Sequence, residues 1–444
     1  MPAATSDAEY RKRFFNALAD RPLDPADKHD QQLYVPLYDL GVVDEDPVLL
    51  LVNELEYSLD PTTAQLVSGY AGSGKSTELY RLADELRRGG YAVVRCDMRE
   101  LVNVSAPLSI TDLLLVLVGA LEEKLEEGDL LDEVVDGERW YDRVGRFLRR
   151  IRFDSPELEV GADVGGGFSA SLKTSLRVDP DFKRRLQDHL AGHLGAVVTE
   201  AHDHVRQLAL RTRGPNAGIV FIVDSLEHFR DTVPGSTDVQ DSIQQVFAQH
   251  ADHLHLPLLH TIYTVPPELK VREKMLGQRY EGGITMFRAV RVRQRSTGAP
   301  SPAGLDAMAT IIAEREPDWA RLVGDRAALD RLILASGGHL RTLLRLLQGV
   351  IRRAVTHPVS ADVLAKAQAQ LRDELLPLSL DTRRWLSRVA GTDASGLPTD
   401  ADLDRLARYL AMTLVLAYRN GDEWYDVHPL VADVIVGVDE PPEG

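Results

Sequence analysis

The sequence predicts an α/β fold: a parallel sheet flanked by helices, followed by an α-helical lid and a winged-helix-like domain. Three observations predict it. First, Gln65-Leu66-Val67-Ser68 reads as the end of a buried strand and runs into the glycine-rich stretch Gly69-Tyr70-Ala71-Gly72-Ser73-Gly74-Lys75-Ser76-Thr77. A helix over 76–88 follows, with Leu79, Leu82, Ala83 and Leu86 on one face. Second, Gly89-Gly90 ends that helix and Tyr91-Ala92-Val93-Val94-Arg95-Cys96-Asp97 reads as another strand. Strand, helix, strand is a βαβ unit, whose crossover makes the strands parallel. Third, from residue 303 the pattern is helical until a hairpin near the C-terminus.

Taken in order, residues 7–19 form a helix with Phe14, Phe15 and Leu18 on one side, and 21–30 a proline-punctuated loop. Tyr34, Val35 and Pro36 precede a helix over 46–55, in which Pro47 suits the first turn and Asp46 the N-cap. A segment just before a strand of this kind can supply apolar and backbone contacts to a base, so Tyr34, Val35 and Pro36 are adenine-pocket candidates, or simply core. Helices follow over 109–127 and 138–152; the cluster Arg149-Arg150-Ile151-Arg152 is read as a solvated face.

Residues 157–178 alternate, turn at Gly165-Gly166-Gly167 and alternate again over Phe168-Ser169-Ala170-Ser171-Leu172-Lys173, which predicts a β-hairpin. A long helix from Asp179-Pro180 to about 211 carries His189, His193, His202 and His204, read as surface histidines. Strands are expected over 218–224, 256–264 and 284–292, and a linker over 297–302. Helices over 303–315, 325–335, 336–355 and 360–373 form the lid segment. Helices over 384–390 and 403–411 and a hairpin around Asn420-Gly421 give the winged-helix-like end. The expected domains are an N-terminal helix and loop (1–33), a core (34–296) with an insertion at about 157–212, a lid (303–375), a winged-helix-like domain (380–436) and a disordered tail (437–444).

The stretch 69–76 matches G-x-x-x-x-G-K-S, the phosphate-binding P-loop. Its backbone N–H groups and the helix N-terminus after it both favour an anion. Lys75 is placed to reach the β- and γ-phosphates, and the Ser76 hydroxyl to sit on Mg²⁺. Gly69, Tyr70, Ala71, Gly72, Ser73, Gly74 and Thr77 complete the cradle.

Gly218-Ile219-Val220-Phe221-Ile222-Val223-Asp224 is a buried strand ending in a carboxylate, the pattern of a Walker B strand. Asp224 then faces the crevice where ligands bind in such sheets and holds Mg²⁺ directly or through water. Glu227, just beyond, is placed to orient the attacking water as general base. Thr264, at the tip of the next strand, is the sensor candidate for the γ-phosphate. Arg341, at the start of the 336–355 helix, is placed to reach back to it.

The chain has 444 residues, more than one core usually holds. It carries 68 acidic and 51 basic residues, a net −17, which opposes binding of nucleic acid or anionic membrane by the whole surface. One cysteine, Cys96, excludes an intrachain disulfide and fits a cytoplasmic setting. No signal-peptide pattern and no run of about 18 apolar residues occurs, so no membrane partner is expected.

With these residues in hand, the chain resembles the AAA+/STAND ATPases, the signal-transducing relatives of origin-recognition and NACHT-type P-loop NTPases. The likeness rests on Gly69 to Thr77, on Val223-Asp224-Ser225-Leu226-Glu227 and on Ser336-Gly337-Gly338-His339-Leu340-Arg341, and covers about 30–435. It implies ATP with Mg²⁺, slow hydrolysis and nucleotide-controlled assembly, and gives Arg341 the sensor 2 role. It departs from the pattern after the sensor strand, where Thr264-Val265-Pro266-Pro267 offers no arginine finger. The expected function is an ATP-driven switch acting on a separate protein partner and able to form a homo-oligomer, in bacterial regulation or defence. The alternative is a DNA-binding ATPase of the origin-recognition or helicase-loader type. Against DNA, the candidate recognition helix sets only Arg405 and Arg408 against Asp402 and Asp404. A metabolic kinase using the same loop is the third reading.

Overall fold

The computed structural model describes residues 6–43, 45–70, 72–132, 138–153, 167–214, 217–229, 237–273, 275–390, 392, 397 and 399–435. Ala71 of the glycine loop, the first half of the expected hairpin (157–166) and the tail 437–444 lie outside them. The chain divides into two compact units: Leu51–Ser68 with Leu82–Thr285, and Met1–Leu50 with Gly69–Arg81 and Met286–Gly444.

The first of these holds the sheet. Its strands are β1 (Thr63–Gly69), β2 (Tyr91–Asp97), β3 (Gly218–Asp224), β4 (His260–Val265) and β5 (Glu281–Phe287), in the order β2-β3-β4-β1-β5. The pairs β2·β3, β3·β4 and β1·β4 are parallel. A parallel strand covered on both faces reads as an unbroken apolar run. Accordingly Ile219 to Val223 are all buried. The helix Ile110–Glu127 is capped at both ends of the first turn by Ser109 and Asp112. It buries Leu113, Leu117 and Leu121 completely, each worth roughly 1.5–3 kcal/mol. A buried carboxylate ties its neighbours to it: Glu122 accepts from the Trp140 N–H at 2.9 Å and meets His204 Nε2 at 3.2 Å.

Three expectations are corrected in this unit. Phe168-Ser169-Ala170-Ser171-Leu172-Lys173 is not a strand but part of the helix Gly167–Val178. Leu172 and Leu176, four apart, are both buried on one face of it. The long helix is two, Pro180–Ala191 and Leu194–Arg211, broken at Gly192 and His193. A glycine inside a helix costs about 1 kcal/mol, and the break lets Leu186 and Leu190, then Val197, Ala201 and Val205, all face the core. Finally, β5 ends at Phe287 instead of reaching 292.

The second unit is mostly helical. Asp7–Ala17, Pro302–Arg315, Arg326–Ser336, Leu340–Arg353 and Ala361–Leu375 enclose a core that includes Tyr10, Phe14, Met308, Ile312, Leu329 and Leu347. Here residues beyond β5 find their partner: Val290 N–H donates to the Gly338 carbonyl at 3.1 Å. That approach requires glycine, because a Cβ on Gly338 would lie 1.8 Å from the Val290 oxygen. The helices Leu380–Val389 and Asp400–Ala411 are joined by Trp385 Nε1 donating to Asp402 Oδ1 at 2.8 Å. The antiparallel pair β6 (Val415–Asn420) and β7 (Asp422–Val427) follows. The Tyr418 hydroxyl donates to the Gly337 carbonyl at 2.6 Å, so the Gly-Gly pair packs beneath this hairpin.

Candidate functional site

The glycine loop leaves β1 and enters the helix Lys75–Arg88. Gly72 and Gly74 have φ of 92° and 89°, a region side chains rarely adopt. The Ser73 N–H donates back to the Tyr70 carbonyl at 3.0 Å, and Glu78 N–H to Gly74 at 3.1 Å, which starts the helix. Lys75 is buried, 5% exposed. The Ser73 hydroxyl is buried with no hydrogen-bond partner among the described residues. A buried hydroxyl without a partner is costly; a phosphate oxygen in the loop would satisfy it. The loop therefore fits a polyphosphate.

Beside the loop lies a pocket in the same unit. Ser73, Gly74, Thr77 and Glu78 form one side; Leu33, Tyr34, Val35, Leu37 and Tyr38 form another; Met308, Ile311, Arg315 and Leu340 close it. Tyr34 and Val35, the base-pocket or core candidates, both line it. Pro36 does not line it; its carbonyl accepts from Asp39 N–H at 3.2 Å. The Tyr34 hydroxyl donates to Glu78 Oε1 at 3.1 Å, and Arg81 joins Glu78 (2.7 Å) to Asp46 (2.5 Å). Burial raises the Glu78 carboxyl above its ordinary value, against the pull of Arg81. The Thr77 hydroxyl accepts from Leu23 N–H at 3.0 Å, which joins the loop 21–30 to the P-loop helix.

Arg341 sits against the P-loop through its backbone: its N–H donates to the Gly72 carbonyl at 3.3 Å. Its guanidinium pairs with Asp20 at 2.6 Å. The sensor candidate is therefore beside the loop, with its charge held by a residue the sequence did not single out.

In the sheet-bearing unit, β1, β3 and β4 are parallel, so Ser68, Asp224 and Val265 end on one edge. Asp224 Oδ1 accepts from Ser225 N–H at 2.8 Å, and Oδ2 faces Arg95 Nη2 at 3.4 Å. Ser225 turns the chain at φ 74° into the short helix Leu226–His228, which carries Glu227, itself 7% exposed. Thr264 is fully buried and its hydroxyl accepts from Leu226 N–H at 3.0 Å. Thr264 thus holds the turn that presents Glu227. As ligands for Mg²⁺ the donor types are suitable: a hydroxyl at Ser76 and a carboxylate at Asp224, both hard oxygens.

This is the α/β fold of a P-loop NTPase. No protein-family model matches the chain, and no curated protein matches it. Among solved structures it is similar to the Walker-type ATPase PABY2304 of Pyrococcus abyssi, at 14% identity and a TM-score of 0.45, covering 94% of this chain and 99% of that one. The ORC2 protein of Aeropyrum pernix gives 11% and 0.42 over 95% and 96%. Cdc6p of Pyrobaculum aerophilum gives 12% and 0.36 over 95% and 97%. Likeness at this level says nothing about what the chain binds or does.

Among the described residues no group of three or more His, Cys, Asp or Glu side chains could hold a metal, the histidines 189, 193, 202 and 204 included; His204 is not at the surface as expected but buried against Trp140 and Glu122. Among them, too, no helix is long and apolar enough to cross a membrane. Sequence reading missed Asp20, Glu78, Arg95 and Arg315. Only Glu78 had a signal, since it lies one helical turn from Ser73, Gly74 and Lys75.

Proposed function

We propose that the chain binds ATP with Mg²⁺ and hydrolyses it slowly, and that the lid helix Leu340–Arg353 responds to the nucleotide. One observation carries this reading: the P-loop, with its positive-φ glycines and a Ser73 hydroxyl that has no partner among the described residues, opens beside a mostly apolar pocket lined by Tyr34 and Val35. Lys75 and the loop N–H groups hold the phosphates; Ser76 and Asp224 hold the metal, which when bound neutralises charge on the phosphates. Glu227 takes the proton of the attacking water. Arg341 exchanges Asp20 for the γ-phosphate, and a charge exchange of this kind is a lever on the lid. The test is phosphate release from Mg-ATP by the purified chain, together with protease digestion with and without nucleotide. No turnover and one digestion pattern under all conditions would remove the switch.

The output of such a switch is a protein partner or DNA. The charges of 380–436 favour a protein partner. Arg405 pairs with Asp381 at 3.3 Å and Arg388 with Asp402 at 3.4 Å, so one of the two arginines of the expected recognition helix already faces a carboxylate, and Arg408 lies over the Tyr409 ring. DNA affinity measured against salt separates the two: a steep loss of binding with salt supports DNA, and its absence supports a protein partner.

A further inference from the structure

The nucleotide pocket contains a cation that neither the P-loop motif nor the expected base contacts call for. Arg315 is the last residue of the helix Pro302–Arg315 and lines the same pocket as Ser73, Gly74, Tyr34 and Val35. Its surroundings are poor in acceptors. Among the described residues, Nη1 reaches the carbonyls of Leu33 at 3.5 Å and Ile311 at 3.3 Å, at the long end of hydrogen bonding. Nε is buried without a hydrogen-bond partner among the described residues. The nearby carboxylate, Asp30, is taken: Arg21 grips both its oxygens at 2.5 Å and Asp24 N–H donates to it at 3.0 Å. Burial, then the charge of Arg21, lowers the Arg315 pKa to about 10. A desolvated guanidinium whose nearby carboxylate is bound to another arginine is costly to keep.

The ligand that lowers this cost has to present an acceptor to a planar donor fork while its remaining surface meets Leu33, Val35, Met308 and Ile311. A triphosphate fits the first requirement but is already served by the loop, and it is not apolar. A purine base fits both: flat, mostly apolar in face, with ring-nitrogen acceptors on its edge. We propose that Arg315 is the base-reading residue of this site, donating to a ring nitrogen of the purine. This rests on the nucleotide reading above and adds to it which residue selects for the base.

The experiment compares two ligands on the whole chain, ATP and inorganic tripolyphosphate, by calorimetry with Mg²⁺ present. Arg315→Met keeps the length of the side chain and removes the donors. The expected result is about a tenfold loss of ATP affinity with tripolyphosphate affinity unchanged. Equal losses for both ligands would move Arg315 to the phosphates and overturn the proposal, as would no loss for either. Arg315→Lys retains the charge but not the fork; it is expected to lose ATP affinity selectively too, and serves if the methionine variant does not fold. If the unaltered chain binds tripolyphosphate as tightly as ATP, base reading fails while the phosphate site stands. If it binds neither, the nucleotide reading itself fails.

Discussion

Arg341 and Gly72 meet backbone to backbone, so closely that a Cβ on Gly72 would lie 2.3 Å from the Cβ of Arg341. The glycine loop and the first turn of the helix Leu340–Arg353 therefore touch at a point where only a residue without a Cβ leaves room. Gly72→Ala faces this clash together with a φ of 92°. It is expected to destabilise the chain by about 1–3 kcal/mol. Urea unfolding measures this, and a midpoint equal to that of the unaltered chain would show that the loop and lid are not held as described.

The Arg341–Asp20 pair sets a second expectation. Both side chains are more than a third exposed, at 36% and 43%, so the pair is screened and weak. Asp20→Asn removes a competitor for Arg341, and ATP affinity is expected to rise by no more than about fivefold, the equivalent of a surface pair. ADP affinity is expected to stay the same. An equal change for both nucleotides would mean that Arg341 does not sense the γ-phosphate.

Glu227 is proposed as the base, with Thr264 fixing the turn that carries it. Glu227→Gln is expected to leave ATP binding intact and slow turnover by about 10²–10⁴-fold. Undiminished phosphate release by this variant would take the role away from Glu227.

His428 gives the chain a pH dependence. Its Nδ1 accepts from Leu430 N–H at 3.2 Å, so the neutral ring carries its proton on Nε2, towards Thr342 Oγ1 at 3.5 Å. Burial, with His339 nearby, lowers its pKa to about 3 from an ordinary 6.5. The unfolded chain then takes up a proton that the folded chain does not. The contribution is whole above about pH 6.5 and falls by about 1.4 kcal/mol per pH unit below it, down to the folded value. Burial also lowers the pKa values of His202, His250 and His260, with the same sign. Denaturant midpoints at pH 7 and pH 5 test this: His428→Asn is expected to narrow the difference between them.

The parts of the site that are contiguous in sequence were legible in it. Gly69 to Thr77 and Gly218 to Asp224 announce a loop and a strand because each pattern is dictated by its own backbone and burial. Tyr34 and Val35 could be placed by their position before β1. What stayed hidden depends on distant chain. Asp20 reaches Arg341, and Arg315 enters the pocket, only because the N-terminal residues share a core with the lid helices. The stretch 168–173 misled because Phe168, Ala170 and Leu172 fit a period of two, while Leu172 and Leu176 fit a helix, and the helical face had a core to cover. Gly337-Gly338 looked like part of a lid motif. The structure gives it a packing reason as well, beneath Tyr418 and against Val290.

The central claim is that Lys75 and its glycine loop hold the phosphates of ATP. Calorimetric titration of Mg-ATP into the unaltered chain and into Lys75→Ala tests it most directly. Saturable binding at one site is expected in the first, weakened about a hundredfold or more in the second, as loss of charged hydrogen bonds worth roughly 3 kcal/mol requires. Equal affinity in the two chains, or no binding by the unaltered one, would contradict it.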